Sequence, residues 1–197
     1  MSDQNGSVEP ARLVLASASP RRKELLTQIG LPPDQVIPSD IDESVRPGET
    51  PRTHAERLGR EKLIACPVND SFVLAGDTVV GVGRRILPKT ESRAQAERCL
   101  RLMSGRNHRV FTSIFARAPD GRVSGRVVET RVGFKPLSET EIAIYLDSGE
   151  WRGKAGGYGI QGRAGAFVTG LVGSYTGVVG LPVYEARQLL LGLGYRS

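Results

Sequence analysis

A short apolar run followed by small residues and a helix start dominates the N-terminal part of this chain. Residues 13–16 (Leu-Val-Leu-Ala) have the character of a buried strand. Ser19 is a suitable N-cap, Pro20 fits the first position of a helix, and Gly30 is placed to end that helix. A strand joined to a helix by a small-residue turn favours an α/β fold with a partly parallel sheet.

Two arginines, Arg21 and Arg22, lie in the first turn of this predicted helix. Beside the positive end of the helix dipole, each charge is unfavourable by roughly 0.3–1 kcal/mol unless an anion is bound. Free backbone N–H groups, the hydroxyl of Ser17 and two guanidinium groups would together form a strong anion-binding site. The alternative is that both arginines are solvated and that Glu24 partly offsets their charge.

Composition narrows the classes of protein to consider. The net charge of +6 is compatible with an anionic ligand, but there is no polybasic block and aromatic residues make up only 6% of the chain. Nucleic-acid binding is therefore disfavoured. We expect one domain over residues 12–197 after a flexible tail at residues 1–11. The tail lacks a basic signal region, the run at residues 13–16 is too short for a membrane span, and the cysteines have no metal-ligand spacing, so we expect a cytoplasmic protein.

Carboxylates with the potential to bind a cation occur at two places in the chain. Asp77 follows an apolar run and a glycine, which predicts a position at the carboxyl end of a strand, where open α/β sheets bind ligands. Asp40, Asp42 and Glu43 lie together between two prolines. A carboxylate from each place could hold a divalent ion. The alternatives are an Asx turn at Asp77 and a solvent-exposed acidic loop.

Lysines and an amide add to this pattern. Lys62 falls at the centre of the apolar face of the helix predicted over residues 51–66, so it either snorkels past the helix end or lines a cleft. Lys89 follows a predicted hairpin and could reach a phosphate. A glycine-rich motif begins at Lys154 and contains Gln161, whose amide could read the edge of a base or, alternatively, cap a turn. The glycine-rich region over residues 153–180 predicts short strands with tight turns, and a flexible linker is the alternative. Together these residues predict a metal-dependent nucleotide site.

These motifs resemble those of the Maf family of nucleoside triphosphate pyrophosphatases over nearly the whole chain. The motifs that carry the resemblance are residues 17–22, 41–43, 60–62, 75–78, 104–108 and 154–162. The resemblance implies an α/β fold with a two-lobed, mixed and twisted β-sheet, flanking helices and a central cleft, similar to inosine triphosphate pyrophosphatases. It also implies hydrolysis between the α and β phosphates, a divalent cation (Mg²⁺ or Mn²⁺), a homodimer and a role in nucleotide-pool housekeeping.

The resemblance also implies a role for each matching residue. Asp77 becomes the catalytic base, and Glu43, Lys62 and Lys89 complete the phosphate and metal site, with Glu43 and Asp77 as metal ligands. The expected substrate-binding residues are Ser17, Arg21, Arg22, Thr78, Lys154 and Gln161. Of these, Arg21, Thr78 and Gln161 match the branch of the family that acts on dTTP and UTP, and differ from the branch that acts on methylated guanosine triphosphate.

One departure and one alternative function stay open at this point. The family usually has Gly-Lys-Pro where this chain has Pro88-Lys89-Thr90, which changes the backbone restraint around Lys89. The family also has a historical link to septum formation, so a non-catalytic nucleotide-binding regulator of cell division is the alternative. Carboxylates next to a triphosphate disfavour a pure binder, because they weaken binding unless a metal is recruited.

Overall fold

The computed structural model describes residues 11–196, and within them seven strands form one mixed sheet flanked by six α-helices. The strands are β1 (Leu13–Ala16), β2 (Gln35–Val36), β3 (Phe72–Val82), β4 (Arg85–Leu87), β5 (Asn107–Arg117), β6 (Val123–Phe134) and β7 (Val168–Val172). The helices are α1 (Pro20–Gln28), α2 (Pro51–Ala65), α3 (Arg93–Met103), α4 (Glu139–Asp147), α5 (Tyr175–Val179) and α6 (Val183–Gly192), and a 3₁₀ helix covers Arg163–Phe167. Residues 1–10 of the expected tail lie outside the described part of the chain.

The order of the strands places the carboxyl end of β1 within the sheet, beside the longer strand β3. The order is β2-β1-β3-β5-β6-β7, and β4 pairs with the far end of β3. Strand β1 is parallel to β2 and β3, whereas the other neighbouring pairs are antiparallel. The pairing of β1 with β3 ends where Ala16 lies opposite Ala75, but β3 continues to Val82. The second half of β3 is therefore free of β1, and the turn into α1 lies beside it.

Strand β3 is longer than the sequence predicted. The prediction ended the strand at Ala75 and placed Asp77 after it, but Gly76, Asp77 and Thr78 all lie within β3 and pair with β5. Gly76 permits this pairing because a Cβ there would lie 2.3 Å from the carbonyl oxygen of Ser113. The predicted strand end and the Asx-turn alternative are therefore wrong. Asp77 instead lies two positions beyond the end of the β1–β3 pairing.

The starts of the first two long helices follow the sequence pattern, with one difference. Helix α2 begins at Pro51, and the side chain of Thr50 accepts a hydrogen bond from the backbone N–H of Thr53 (3.2 Å). Ser19 occupies the N-cap position of α1, but its side chain makes no capping hydrogen bond, contrary to the prediction. The backbone N–H of Ser19 donates instead to Ser17 Oγ (3.2 Å). The amino end of α1 therefore carries no side-chain cap.

The two largest of the four apolar cores among residues 11–196 stabilise the sheet at its two ends. One is built from β1, α1 and α6 and includes Leu15, Leu26 and Leu190. The other is built from α3, α4, β6 and the glycine-rich region, and the ring of Phe167 packs edge to face against the rings of Phe134 and Tyr145. The predicted α/β fold with a mixed sheet, flanking helices and a cleft is confirmed. Each end of the sheet forms one lobe with its own apolar core, and one continuous sheet runs through both lobes.

The glycine-rich region is more helical than predicted. The sequence predicted short strands and tight turns, but a 3₁₀ helix precedes β7 and the short helix α5 follows it. Gly156 has φ +67°, and a Cβ there would lie 3.1 Å from Val80 of β3. Glycine at this position thus allows a left-handed turn against the sheet. None of the helices within residues 11–196 is long and apolar enough to cross a membrane.

Candidate active site

A cavity of about 610 Å³ opens beside the second half of β3, where β1 has ended. The expected site residues that line it are Ser17, Arg21, Arg22, Glu43, Lys62, Thr78, Lys89, Lys154 and Gln161. Asp77 lies directly behind this wall, where its side chain is 2% exposed and contacts Lys62. The fold thus brings together the site residues that the family resemblance assigned, from segments up to about 140 residues apart in the chain. Asp40 and Asp42, the other two candidate carboxylates, are exposed and do not line the cavity.

Two carboxylates and two lysines form a compact ionic cluster at one wall of the cavity. Lys62 Nζ lies 2.6 Å from Asp77 Oδ1 and 2.5 Å from Glu43 Oε1. Lys89 Nζ contacts Glu43 Oε2 and lies 3.8 Å from Asp77 Oδ1. Each carboxylate therefore faces both lysines, and the cluster as a whole has no net charge. The interpretation of Glu43 as part of a freely solvated acidic loop is wrong.

Asp77 has one oxygen in the cluster and one without a partner. Its backbone N–H donates to Ser113 Oγ (3.0 Å), which fixes the residue within β3. Its Oδ1 accepts from Lys62, whereas Oδ2 is buried and has no hydrogen-bond partner among the described residues. Leaving a buried polar atom unpaired costs about 1–3 kcal/mol, and more for a charged group. Asp77 Oδ2 is therefore ready to receive a cation or a proton donor.

The carboxylates fit a divalent cation that shares its ligands with a substrate. Within residues 11–196, no group of three or more His, Cys, Asp or Glu side chains comes together as a self-sufficient metal site. Mg²⁺, however, is commonly held by only one or two carboxylates and completed by phosphate oxygens and water. Glu43 and the unpartnered Oδ2 of Asp77 match that requirement.

Glu43 is ionised at physiological pH. Partial burial alone would raise the pKa of its carboxyl group, but hydrogen bonds from Lys62 and Lys89 outweigh this and lower the pKa to about 2. Glu43 belongs to a segment between β2 and α2 that contains no helix or strand. Side-chain contacts, rather than the backbone hydrogen bonds of a helix or a sheet, therefore keep Glu43 in the cluster.

Arg22 fastens three parts of the cavity to one another. Its side chain is buried, and it donates to Ser17 Oγ (2.9 Å), to the carbonyl of Gly180 (2.8 Å) and to Thr78 Oγ1 (3.3 Å). Burial lowers the pKa of this guanidinium group. The solvated alternative is wrong for Arg22. Arg21 is half-buried, and its Nε donates to the carbonyl of Val179 (3.3 Å).

The altered sequence around Lys89 does not remove this lysine from the site. Lys89 forms an isolated β-bridge with Ala155, and the N–H of Thr90 donates to the carbonyl of Lys154 (3.1 Å). The N–H of Gly156 donates to the carbonyl of Pro88 (3.0 Å). Backbone hydrogen bonds on both sides thus hold Lys89 against the loop at residues 154–156, which also contributes to the cavity lining.

The side chain of Glu150, which belongs to the cavity wall, holds the loop that carries Gln161. Gln161 is exposed at the cavity, and its side chain makes no hydrogen bond with another described residue. Glu150 Oε2 accepts a hydrogen bond from the backbone N–H of Arg163 (2.9 Å). A Cβ on Gly162 would lie 2.0 Å from that same oxygen, so any other residue there would displace the Glu150 carboxylate. Burial lowers the pKa of Lys154, whose Nζ donates to the carbonyl of Glu150.

Sequence reasoning missed Glu150, although Glu150 lines the cavity. Its partner is a backbone N–H thirteen residues away, and no residue pattern signals such a contact. It also missed Ser113, which lies opposite Asp77 only because of the register between β3 and β5.

The fold and the cavity together define a class of protein, an α/β enzyme scaffold with a cation-rich cleft that is suited to a polyphosphate and a divalent cation. The family described as Maf-like protein matches residues 12–193, and the chain belongs to this family. Among its relatives are proteins named dTTP/UTP pyrophosphatase from Maricaulis maris (66% identical, covering 93% of this chain and 89% of the relative), Caulobacter vibrioides (61%, covering 93% and 96%) and Hyphomonas neptunium (58%, covering 94% and 97%). A solved nucleoside-triphosphatase / dITP/XTP pyrophosphatase from Mycobacterium abscessus aligns with a TM-score of 0.37 at 13% identity, covering 64% of this chain and 75% of that one.

Proposed function

We propose that this chain hydrolyses nucleoside triphosphates, with dTTP and UTP preferred, to a nucleoside monophosphate and pyrophosphate, and that it serves nucleotide-pool housekeeping. The observation that carries the proposal is the cluster of Glu43, Lys62, Asp77 and Lys89 at the wall of a cavity that also contains Gln161. The relatives named dTTP/UTP pyrophosphatase, which are 58–66% identical, support the same reaction and substrates.

The cationic side chains of the cavity bind the triphosphate. Lys62 and Lys89 exchange part of their contact with the carboxylates for contact with phosphate oxygens, and Arg21 adds a further donor from the first turn of α1. Ser17 and Arg22 form the floor, because Arg22 holds the Ser17 hydroxyl in place and adds its positive charge. Positioning and charge neutralisation of this kind dominate phosphoryl chemistry.

The carboxylates prepare the water that attacks the substrate. Glu43 and Asp77 are the residues that would hold Mg²⁺ or Mn²⁺, and the bound cation would supply positive charge next to the departing pyrophosphate. Lys62 holds Asp77 through Oδ1, which leaves Oδ2 to accept a proton from water as the bond between the α and β phosphates breaks.

Gln161 reads the base in this proposal. Its amide can donate to one ring carbonyl of uracil or thymine and accept from the neighbouring ring N–H, whereas cytosine presents the opposite pattern at two positions. Arg21 and Thr78 line the same cavity and are the other proposed specificity residues. Lys154 lies near the start of the same loop and completes the proposed set of substrate-binding residues.

A panel of nucleotides tests the proposal. We expect pyrophosphate release from dTTP and UTP to be faster than from CTP and GTP, and to stop when EDTA removes the divalent cation. Equal rates across the panel would contradict the specificity. Tight binding of a nucleotide without any pyrophosphate release would contradict the enzyme and favour the alternative, a non-catalytic regulator of cell division.

We propose further that the protein acts in the cytoplasm as a homodimer and binds neither nucleic acid nor membranes. The two cysteines, Cys66 and Cys99, are free and buried, which suits a reducing compartment. The homodimer is an extension from the family resemblance. Size-exclusion chromatography with light scattering measures the mass of the particle and so tests the dimer. Binding of DNA and RNA is measured at several salt concentrations, and we expect none at any of them.

A further inference from the structure

We infer that Arg57 is a positioning residue for Glu43, because it fastens the acidic loop (residues 40–49) to helix α2. The consequence for catalysis rests on the proposed function, whereas the fastening itself does not. Arg57 lies outside the cavity lining, so its effect on the reaction passes through the loop.

Contacts at two points of the acidic loop carry the inference. Arg57 Nη2 donates to the carbonyl of Ser44 (2.8 Å), the residue that follows Glu43. Arg57 also donates to both carboxylate oxygens of Glu49, from Nε to Oε1 (2.5 Å) and from Nη2 to Oε2 (3.1 Å). One guanidinium group thus holds the middle and the end of a loop that has no secondary structure of its own.

The Arg57–Glu49 pair is better shielded than an ordinary surface ion pair. The two side chains are 13% and 11% exposed, and the carboxylate of Glu49 also contacts His54 Nδ1 (2.8 Å) and accepts from the N–H of Arg46 (2.8 Å). The hydrogen bond from Arg57 is the main reason why the pKa of Glu49 falls to about 2. A bidentate, partly desolvated pair of this kind is worth more than the typical exposed pair.

Helix α2 connects the fastening to the cluster. Arg57 Nη1 donates to Glu61 Oε2 (2.9 Å) one turn further along the helix, next to Lys62. Lys62 in turn binds Glu43 Oε1 (2.5 Å). The same helix therefore carries the residue that holds the loop and the lysine that the loop must meet, so that loss of Arg57 releases Glu43 without altering the cavity wall directly.

The test compares Arg57→Gln with a matched control, Arg101→Gln. Arg101 also binds two carboxylates, those of Glu97 and Glu139, but it lies on α3 and contacts no part of the acidic loop. Hydrogen–deuterium exchange is measured on the proteins without nucleotide or metal. We expect exchange in residues 40–49 to rise about tenfold in Arg57→Gln and to stay unchanged in Arg101→Gln.

The second readout is the Mg²⁺ concentration that gives half-maximal pyrophosphate release. We expect it to rise about tenfold in Arg57→Gln, with kcat recovering at high Mg²⁺, and we expect no further rise when Arg57→Gln is added to Glu43→Gln. Arg57→Lys keeps the charge but cannot serve Ser44 and both oxygens of Glu49 together, so it gives a smaller rise and replaces Arg57→Gln if that variant does not fold.

The two readouts separate this inference from the proposed function. Unchanged exchange in residues 40–49 of the Arg57 variant would overturn the inference, as would equal effects of the Arg57 and Arg101 substitutions. Absence of pyrophosphate release from the wild-type protein would instead contradict the proposed function, and the exchange measurement would still decide whether Arg57 positions the loop.

Discussion

Lys62 and Lys89 contact the same two carboxylates but differ in how much the folded state depends on them. The side chain of Lys62 is 7% exposed, whereas that of Lys89 is 46% exposed. Removing the hydrogen-bonded cation of a buried carboxylate is strongly destabilising, whereas removing one partner of an exposed ion pair costs little. The same chemical group therefore has a structural role at one position and a mainly functional role at the other.

We expect Lys62→Met to lower the free energy of unfolding by about 3 kcal/mol, because it removes the only lysine within residues 11–196 that is hydrogen-bonded to the buried Asp77 carboxylate and leaves Lys89 Nζ at 3.8 Å. Lys89→Met is the matched control and lowers it by less than about 1 kcal/mol. Urea denaturation at neutral pH measures both values. Equal losses in the two variants would contradict the difference in burial, and Asp77→Asn added to Lys62→Met recovers most of the loss.

His108 makes stability depend on pH. Its Nε2 lies 2.8 Å from the hydroxyl of Tyr158, its Nδ1 is buried with no hydrogen-bond partner within residues 11–196, and burial lowers its pKa from 6.5 to about 4. Between pH 6.5 and 4 the unfolded chain binds more protons at this residue, so stability falls as the pH is lowered through this window, by roughly 3 kcal/mol in total.

The variant His108→Gln tests this dependence. It removes the titrating group, so we expect its free energy of unfolding to change less between pH 6.5 and 4 than that of the wild-type protein. Denaturation series at several pH values compare the two slopes. If the free energy of unfolding depended on pH equally in both proteins, the folded state would not disfavour protonation of His108, which would contradict the prediction.

At the scale of elements, local sequence patterns predict helix starts and buried helix faces, which depend on residues close in the chain. They do not predict the length of a strand, which depends on the strand it pairs with. The apolar period of α2 correctly placed Lys62 on the buried face, and Pro51 correctly marked the helix start. The length of β3 depends on β5, which lies more than thirty residues further along the chain, so the position of Asp77 within the strand could not be derived from its own neighbours.

The contacts of the acidic loop show the same limit in the candidate site. The sequence drew attention to Glu43 as a carboxylate in an acidic cluster, but it did not indicate what holds that loop. The acceptor that Arg57 reaches is the backbone carbonyl of Ser44, and every residue has such a group. Contacts of this kind leave no signature in residue type or spacing.

The loop of Gln161 gives a prediction at this scale. Gly162→Ala places a Cβ 2.0 Å from Glu150 Oε2, which displaces the carboxylate that binds the N–H of Arg163. We expect the preference for dTTP over CTP, as a ratio of kcat/KM, to fall about tenfold, since one bidentate side-chain contact to a base edge discriminates by about 1–3 kcal/mol. Gly170→Ala is the control, because a Cβ there meets nothing within 4 Å. An unchanged ratio in Gly162→Ala would contradict the role of this contact.

For the whole molecule, the cavity combines contributions from both ends of the sheet into one charged surface. Its charged residues, with Asp77 behind the wall, are the cations Arg21, Arg22, Lys62, Lys89 and Lys154 and the carboxylates Glu43, Asp77 and Glu150. The resulting net charge of +2 complements a nucleoside triphosphate with one divalent cation, which carries about −2. The charge of the entire chain, +6, is of the same sign and favours the approach of such an anion.

The central claim is that one cavity places Asp77 to activate water against a bound triphosphate. The most direct measurement is the rate of pyrophosphate release from dTTP and Mg²⁺ by Asp77→Asn, a substitution that keeps the size of the side chain, with circular dichroism to verify the fold. The account predicts a loss of about 10²–10⁴-fold in kcat relative to the wild-type protein. A folded Asp77→Asn variant that releases pyrophosphate at close to the wild-type rate would contradict it.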